Sequence, residues 1–392
     1  MKFNLFVFII LFNVQEVFVK AQEQEQPKKF GVSGYVSSLQ SVTFDSLQGN
    51  WISENLIHNR INFIWYPCHN LSGALEVRNR LLFGESVKLN PNTANDYEKD
   101  YGFVKLTTNV FRGHSYLLNT FIDRFWMAYE KNKWRVTLGR QRINWSQTLV
   151  WNPNDIFNAY SYFDVDYIER PGSDALRFQY NNSEVSVTEL ALKMNSQKQL
   201  TAAGYYKFNR WNYDFQLLGG ILNQTDYVIG TGWSGAVKSI AFRGEMSYFA
   251  PIRHITDSTG LFLGSVSLDY TFGNSLRLMG EFLYNSHVYV YSLNFLSYYS
   301  APLSVKNLSF ARYNLFLQAS YPITPLLSAT FAGIYFPQIK GYYLGPSMSY
   351  SASDNIEFAV FLQSFRASIR GGLGEEQRLR FNMTFLRAKL SF

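Results

Sequence analysis

The 392-residue chain has few of the features that mark most soluble and helical membrane proteins. Only 17% of its residues are charged, whereas soluble domains average about 25%. After the N-terminal segment, no apolar run reaches the roughly 18 residues that indicate a membrane-spanning helix. The single cysteine, Cys68, excludes an intrachain disulfide. These shortages argue against an ordinary soluble domain and exclude a helical membrane protein and a disulfide-stabilised scaffold.

Motifs of catalysis and cofactor binding are missing as well. The histidines show neither HxxxH nor HExxH spacing, CxxC does not occur, and no GxSxG, P-loop or GxGxxG context appears. We therefore predict no catalytic residue, no metal site and no cofactor, and we do not expect an enzyme. The net charge of +7 is spread along the chain without runs of Lys or Arg, which argues against a nucleic-acid partner.

What the chain has in abundance is aromatic residues arranged with period two. Aromatics make up 18% of the sequence, and the mean hydropathy is −0.14. Around residue 245, Phe242 and Tyr248 fall on one face of a strand, while Arg243 and Glu245 fall on the other, because successive side chains point to opposite sides. An aromatic face opposite a charged face is typical of a membrane β-barrel wall, with lipid outside and water inside.

This pattern recurs from Phe30 to Phe392, and the connections between strands alternate between short turns and long loops. We count about 18 strands, or 16 if the weak segments near Leu176 and Val185 are loop, or more if residues 103–111 pair with a neighbour. We predict an all-β fold, a transmembrane antiparallel up-and-down β-barrel with both chain ends on one side. A soluble β-sandwich or propeller is the competing interpretation, but no helical segment covers the strands and no blade repeat is visible.

The N-terminal segment has the pattern of an export signal. Lys2 precedes a short apolar run at residues 3–14, and a small residue, Ala21, stands at the predicted cleavage point. No cysteine stands at that point, so a lipoprotein anchor is not expected. We predict a signal peptide at 1–21, a short polar periplasmic leader at 22–29 and a single outer-membrane barrel at 30–392.

The last strand of the chain ends in Phe392, with Leu386 and Leu390 in phase behind it. A terminal aromatic strand of this kind resembles the signal by which outer-membrane barrels are recognised for insertion. The resemblance implies the outer-membrane assembly machinery as a partner, beside membrane lipid and lipopolysaccharide. The apolar face of this strand switches between Phe385 and Leu386, so we expect a β-bulge there.

Residues 138–172 carry the most informative motif. Its elements are Gly139-Arg140-Gln141, then Trp145, then Pro153-Asn154-Asp155-Ile156-Phe157-Asn158. The segment resembles the porin-like outer-membrane barrels of Gram-negative bacteria, in which a strand ending in Gly-Arg-Gln is followed by a Trp and a Pro-x-Asp-x-Phe-Asn loop. That family usually has glycine after the tryptophan, whereas this chain has Ser146. The resemblance implies a porin-like channel in the outer membrane.

The connection at residues 141–173 is too rich in Trp, Tyr and Phe for a disordered loop, and loops of this length are usually functional. We predict that it folds inward, narrows the pore and is tied to the wall by ion pairs. The alternative is an outer cap packed on neighbouring loops. The residues expected at the constriction are Arg140, Arg142, Trp145, Trp151, Asp155, Phe157, Glu169 and Arg170.

Alternation also predicts which charged residues face the lumen, and many of these should pair across strands. Their surplus of positive charge could favour anionic solutes. The expected pore-lining residues are Arg60, Arg78, Arg80, Arg135, Arg177, Arg243, Glu245, Arg277, Glu281 and Arg312. The leading hypothesis is a channel for passive or gated passage of small polar solutes. The alternative is a structural or binding barrel whose loops engage a partner or a surface glycan.

Overall fold

The structure is a computed structural model that describes residues 29–160, 162–167, 169–253, 259–287, 304–370 and 376–392. The predicted signal peptide lies outside the described residues, as does the predicted leader apart from Lys29. No helix in the described ranges is long and apolar enough to cross a membrane.

The described residues form one antiparallel sheet of 19 strands. The strands are β1 Phe30–Phe44, β2 Trp51–Cys68, β3 Leu71–Gly84, β4 Thr107–Arg112, β5 Tyr116–Lys131, β6 Trp134–Gln141, β7 Ser173–Ser183, β8 Ser186–Met194, β9 Leu200–Arg210, β10 Tyr213–Leu222, β11 Asp226–Val237, β12 Ile240–Pro251, β13 Leu261–Thr271, β14 Arg277–Asn285, β15 Tyr313–Pro322, β16 Leu327–Phe336, β17 Gly341–Ser353, β18 Ile356–Arg370 and β19 Glu376–Ser391. Two short helices, α1 Glu85–Leu89 and α2 Thr93–Glu98, and two 3₁₀ turns, Val305–Asn307 and Pro337–Ile339, lie in the connections.

The sheet closes on itself because β1 pairs with β2 on one side and with β19 on the other. Closure leaves the barrel strands without unpaired edges, which is what a β-structure in hydrocarbon requires. The prediction of an antiparallel up-and-down barrel is confirmed, and the barrel proper has 18 strands. The weak segments near Leu176 and Val185 belong to the strand pair β7 and β8 rather than to a loop.

The nineteenth strand, β4, is an insertion into the wall. Residues 125–131 of β5 pair with β6, and residues 117–121 pair with β4 along the same edge. The backbone N–H of Ile122 donates to the carbonyl of Leu106 at 2.9 Å, where β4 takes over from β6. Part of the segment 103–111 is therefore a strand paired with a neighbour, as one of the alternatives anticipated.

The two ends of the barrel differ in the length of their connections. At the end where β1 begins, which we call the terminal end, short turns join the strands, and Gly34 and Phe392 exchange backbone hydrogen bonds of 2.8 and 2.9 Å. The opposite end, which we call the loop end, carries the long connections, including 85–115 and 142–172. Both described chain ends thus lie at one end of the barrel, as an even strand number requires.

Side chains alternate between the two faces of the wall as expected. In β12, Tyr248 is exposed on the outer face, whereas Glu245 and Ser247 are buried on the inner face. One detail differs from expectation in β19, where the pairing with both β18 and β1 runs through Phe385 and Leu386 without a register shift. No bulge is needed there, because Phe385 is buried inside the barrel while Leu386 is exposed outside it.

Candidate functional site: the loop inside the lumen

The candidate site is built around residues 142–172, which leave the wall at the end of β6. Gly139 has a φ of +115°, and a Cβ there would lie 2.2 Å from the carbonyl oxygen of Phe125. Only glycine fits this position, where β6 separates from β5. The side-chain amide of Gln141 then donates to the carbonyl oxygens of Thr137 and Ala175, both at 3.1 Å, and closes the exit between β6 and β7.

The first anchor of this lumen loop is a carboxylate in the middle of β12. Glu245 accepts the backbone N–H groups of Gln147 at 3.1 Å, Thr148 at 2.8 Å and Asn154 at 2.8 Å. It also accepts the hydroxyl of Thr148. A fully buried carboxylate is stable only when such donors replace its water, so the loop and Glu245 depend on each other.

The second anchor is a carboxylate on β14. Glu281 accepts the backbone N–H groups of Leu149 at 3.1 Å, Val150 at 3.1 Å and Trp151 at 2.7 Å. The hydroxyl of Ser265 donates to the same carboxylate at 3.0 Å. Together the two glutamates bind six backbone N–H groups within residues 147–154, so they hold the loop through its backbone.

Aromatic packing holds the start of the loop against β8 and β9. The indole N–H of Trp145 donates to Glu189 at 2.8 Å, and Glu189 also pairs with Arg177 at 2.7 Å. The Trp145 ring stacks on Tyr205 and meets Phe157 edge-on, each at 4.9 Å between ring centroids. Trp145 is almost fully buried, so it fills the lumen here rather than bordering water.

The apolar part of the loop forms a core with the inner faces of the neighbouring strands. A protein core of this kind inside a barrel is stabilised by the same burial of apolar surface as the core of a soluble domain. The loop residues in it are Ile143, Trp145, Val150, Trp151, Ile156 and Phe157, and among the wall residues are Leu218, Phe249, Leu263, Leu283 and Phe316.

The loop then crosses to the other side of the barrel. Tyr162 packs edge-on against Phe316 at 5.0 Å, and Phe163 packs against Tyr343 at 4.8 Å. The side-chain amide of Gln363 on β18 donates to the Phe163 carbonyl at 3.0 Å. The loop has thus moved from β8 to β18 along the inner face of the wall.

The last part of the loop meets β3 and β5. Asp166 forms an ion pair with Arg78 on β3 at 2.7 Å. Arg124 on β5 donates to the carbonyl oxygens of Glu169 at 2.8 Å and Arg170 at 2.9 Å. Contacts to the inner face on nearly all sides place this loop within the barrel, not on top of it.

The wall that receives this last part is ionic. Arg60 is buried and contacts Glu76 and Asp123, and it lies 3.7 Å from Glu169. An uncompensated charge at such depth would be costly, so these arginines and carboxylates stabilise each other as a network. The network joins β2, β3 and β5 to the loop.

One group of cations inside the lumen is only partly neutralised. Arg142 is half-buried, and its buried Nε has no hydrogen-bond partner among the described residues. The positive charges of Arg170 and Arg124 act on Arg142. Arg170 lies 3.3 Å above the ring of Tyr160 and 3.8 Å from Asp155. Arg124 also pairs with Glu76 on β3 at 3.3 Å, so the surplus of positive charge here is that of Arg142 and Arg170 over Asp155.

Asp155 is buried beneath this arginine group. It is 1% exposed, and neither carboxylate oxygen has a hydrogen-bond partner among the described residues. Burial raises the pKa of the Asp155 carboxyl to about 7, although the positive charges of Arg170 and Arg142 act in the opposite direction. Its charge therefore changes near neutral pH.

Arg140, which we expected at the constriction, lies instead in the wall. Its guanidinium binds Asp174 at 2.6 Å and Asp100 at 3.0 Å and donates to the Val104 carbonyl at 2.7 Å. The backbone of Gly102 covers it, because a Cβ there would lie 2.1 Å from the guanidinium. Arg140 joins β6 and β7 to the inserted segment and is fully occupied by these contacts.

The other charged residues singled out by alternation are mostly paired. Arg312 is exposed just before β15, at the loop end. Arg80 lies 4.6 Å from the ring centres of both Tyr97 and Phe121. The remaining pairs are Arg135 with Glu130 at 3.3 Å, Arg243 with Asp269 at 2.7 Å, and Arg277 with Asp269 at 3.0 Å.

Sequence reasoning missed several partners that complete the site. Glu189 and Asp123 lie on the inner face of β8 and β5, and alternation could have found both. Asp166 could not be placed, because nothing in the sequence shows which wall a loop residue meets. Among the described residues, no group of three His, Cys, Asp or Glu side chains could hold a metal ion.

No model of a known protein family and no curated protein sequence matches this chain. Solved structures do match. OccAB1 of Acinetobacter baumannii has 10% identity and a TM-score of 0.58, over 93% of this chain and 97% of that chain. For OccK11 (OpdR) of Pseudomonas aeruginosa the values are 8%, 0.56, 93% and 97%, and for OprD of the same species 8%, 0.57, 93% and 95%. At such identities the likeness shows the fold alone.

Proposed function

We propose that this protein is a channel in the outer membrane of a Gram-negative bacterium, through which small polar solutes pass. The closed barrel with an apolar outer face and the fold shared with OccAB1 and OprD support this proposal. The porin-like motif at residues 138–172 supports it independently. The C-terminal strand would then be the segment recognised by the assembly machinery, and lipopolysaccharide would surround the loop end.

Within this proposal, the lumen loop is the constriction, and Arg142 and Arg170 favour anionic solutes. The observation that carries the proposal is the half-buried guanidinium of Arg142, which has no ion pair with any described carboxylate. Charges at a narrow place act over a short and poorly screened distance, so they control selectivity more than charges at a wide mouth.

The test is the reversal potential of single channels in planar bilayers under a salt gradient. We expect Arg142→Gln to shift the reversal potential toward cations. The matched control is Arg135→Gln, which removes the same charge from a residue paired with Glu130 near the terminal end and should change little. An equal shift in both variants would contradict the assignment of the constriction.

The alternative function is a structural or binding barrel. The apolar core that fills the lumen between β8 and β16 favours it, because such packing resembles a plug. Absence of conductance in the correctly folded wild-type barrel would support this alternative and overturn the channel.

A further inference from the structure

The outer wall at the loop end carries a row of aromatic residues that runs across neighbouring strands. Each of these residues alternates along its strand with side chains on the inner face, so it points outward. Aromatic girdles of this kind mark the level at which a membrane β-barrel meets the surface of the bilayer. From β12 to β17 the row includes the backbone pairs Tyr248 with Phe262, Tyr284 with Tyr313, and Tyr335 with Tyr342.

Two arginines interrupt this row on β18 and β19. Tyr342 is the backbone partner of Arg366 on β18, and Arg366 is the partner of Arg380 on β19. Arg366 lies between the buried Phe365 and Ala367, so its exposed side chain points outward, and so does the exposed side chain of its partner Arg380. The two arginines, which we call the arginine pair, therefore stand where the neighbouring strands carry tyrosines.

The position of the arginine pair along the wall places it at the membrane surface. Outward residues of β18 are apolar from Ile356 to Leu362, and Ser364 and Arg366 follow them. Arg366 follows Ile356 by ten residues, which is about 33 Å along the strand and about 25 Å across the membrane at the usual strand tilt. The apolar band of a membrane barrel is about as tall. The two guanidinium groups therefore lie at the depth of the lipid headgroups.

The charge of the arginine pair is not balanced by the described protein around it. Arg366 lies 5.9 Å from the centre of the Tyr342 ring, and no described carboxylate forms an ion pair with either arginine. The exposed Arg378, two residues before Arg380 on the same face, adds a third positive charge. Like charges directly opposite each other on neighbouring strands are unfavourable. An anion bound between the two guanidinium groups would remove this repulsion.

The wall beneath the arginine pair is polar and tightly connected. The hydroxyl of Ser364 donates to Asn382 at 2.9 Å, and the Asn382 amide donates to the carbonyl oxygen of Phe44 at 3.2 Å. These bonds join β18, β19 and β1, so the spacing of the two arginines is fixed by the wall. On the next hairpin the aromatic residues return, where Phe44 stacks on Trp51 with ring centroids 4.8 Å apart. The arginine pair is thus a gap two strands wide between aromatic residues.

We propose that the arginine pair binds the phosphate group of one outer-leaflet lipid, a phosphorylated glycolipid of the lipid A type. Guanidinium groups present paired N–H donors that match the oxygen atoms of a phosphate. A headgroup phosphate lies at this depth, whereas the wall separates the pair from solutes in the lumen. The apolar residues below, such as Val360 and Leu362, would contact the acyl chains of the same lipid. The inference rests on the proposed location in an outer membrane and not on channel activity.

The experiment titrates the folded full-length barrel in detergent with bisphosphorylated lipid A and counts bound lipids by native mass spectrometry. We expect the wild type to bind one lipid A at least tenfold more tightly than Arg366→Gln/Arg380→Gln. The matched control, Lys131→Gln/Arg210→Gln, removes two exposed cations at the terminal end and should bind like the wild type. Arg366→Lys/Arg380→Lys keeps the charge but loses the paired donors, so its affinity should be intermediate.

Two further ligands identify what the arginine pair recognises. The wild type should bind lipid A without its phosphates no better than the glutamine variant binds lipid A. An excess of inorganic phosphate should not displace lipid A, because the acyl chains add contacts that the free ion lacks.

Three results would overturn the proposal: equal affinity of the wild type and the glutamine variant, an equal loss in the control at the terminal end, or equal binding of the dephosphorylated lipid. Displacement by inorganic phosphate would overturn the assignment to a lipid. Heat-modifiable migration of each variant on gels shows that it is folded. Conductance is not used, and fractionation measures the location separately, so the proposed function and this site can fail independently.

Discussion

The two sides of the lumen are built on different principles. Between β8 and β16 the loop is packed into an apolar core and held at its backbone by Glu245 and Glu281. Between β1 and β5 the same loop meets buried ion pairs such as Arg78 with Asp166. Packing and backbone hydrogen bonds fix the position of a segment without placing charge at a surface, whereas the ionic network keeps its carboxylates Asp166 and Glu169 partly exposed. We therefore expect solutes to pass along the ionic side.

A division also appears on the outside of the barrel at the loop end, where β18 and β19 bear arginines and β12 to β17 bear aromatic residues. A barrel wall has two independent faces because side chains alternate. Each sector can therefore be adapted separately to the lumen and to the surrounding membrane. Three variants test this contrast.

The largest effect is expected from releasing the loop on the packed side. In Glu245→Gln/Glu281→Gln, each amide keeps one acceptor oxygen but places an NH₂ group against backbone donors. Hydrogen bonds to charged groups contribute about 1.5–3 kcal/mol each, so the loss of several should free residues 147–154. We expect faster hydrogen exchange in that segment and a severalfold rise in conductance.

The control for the glutamate variant is Asp269→Asn, which removes an inward carboxylate that binds Arg243 and Arg277 but no loop residue. It should leave hydrogen exchange at residues 147–154 unchanged. If the glutamate variant exchanged as slowly as the wild type, the anchoring role of the two carboxylates would be disproved.

An intermediate effect is expected from a charge on the apolar outer face. Arg at a lipid-facing position costs about 2–4 kcal/mol at the middle of the membrane and less towards its interfaces, and Phe242 is the third residue of β12, so it should incur part of this cost. Phe242→Arg should therefore lower the yield of heat-modifiable folded barrel in outer membranes. Arg243→Gln, one residue along but inside the barrel, should assemble normally. Equal yields would contradict the register of β12, since a shift of one residue exchanges the two faces.

The smallest effect concerns the charge of Asp155 beside the arginines. As pH rises through about 7, its carboxyl ionises and cancels part of the positive charge of Arg142 and Arg170. Glu245 and Lys193 are the other charged groups that act on it. We expect the anion preference, measured by reversal potential, to fall between about pH 6 and pH 8. This range extends about one pH unit on either side of that pKa. Asp155→Asn should keep the anion preference of the wild type at pH 6 across this range. If this variant showed the same pH dependence as the wild type, Asp155 would not be the titrating group.

The barrel could be predicted because its information is local. Alternation along a strand such as β12 shows which side chains face lipid and which face the lumen. The length of the connection at residues 141–173 likewise marks it as an unusual loop. The prediction of a β-bulge at Phe385 was wrong for a related reason. Apolar residues there face a protein core inside the barrel, which no local pattern distinguishes from lipid.

By itself, the sequence determined which stretches become strands, which face of each strand is apolar and where the long loop begins. It did so because period-two alternation needs only neighbours along the chain. Only the tertiary structure decided that Arg140 holds the wall together, that β4 completes β5, and that Glu245 and Glu281 bind loop backbone. Glu281 is separated from Trp151 by 130 residues, and only closure of the barrel brings them together. Every residue except proline carries the same backbone N–H group, so no sequence pattern shows which of these groups will donate a hydrogen bond to a carboxylate.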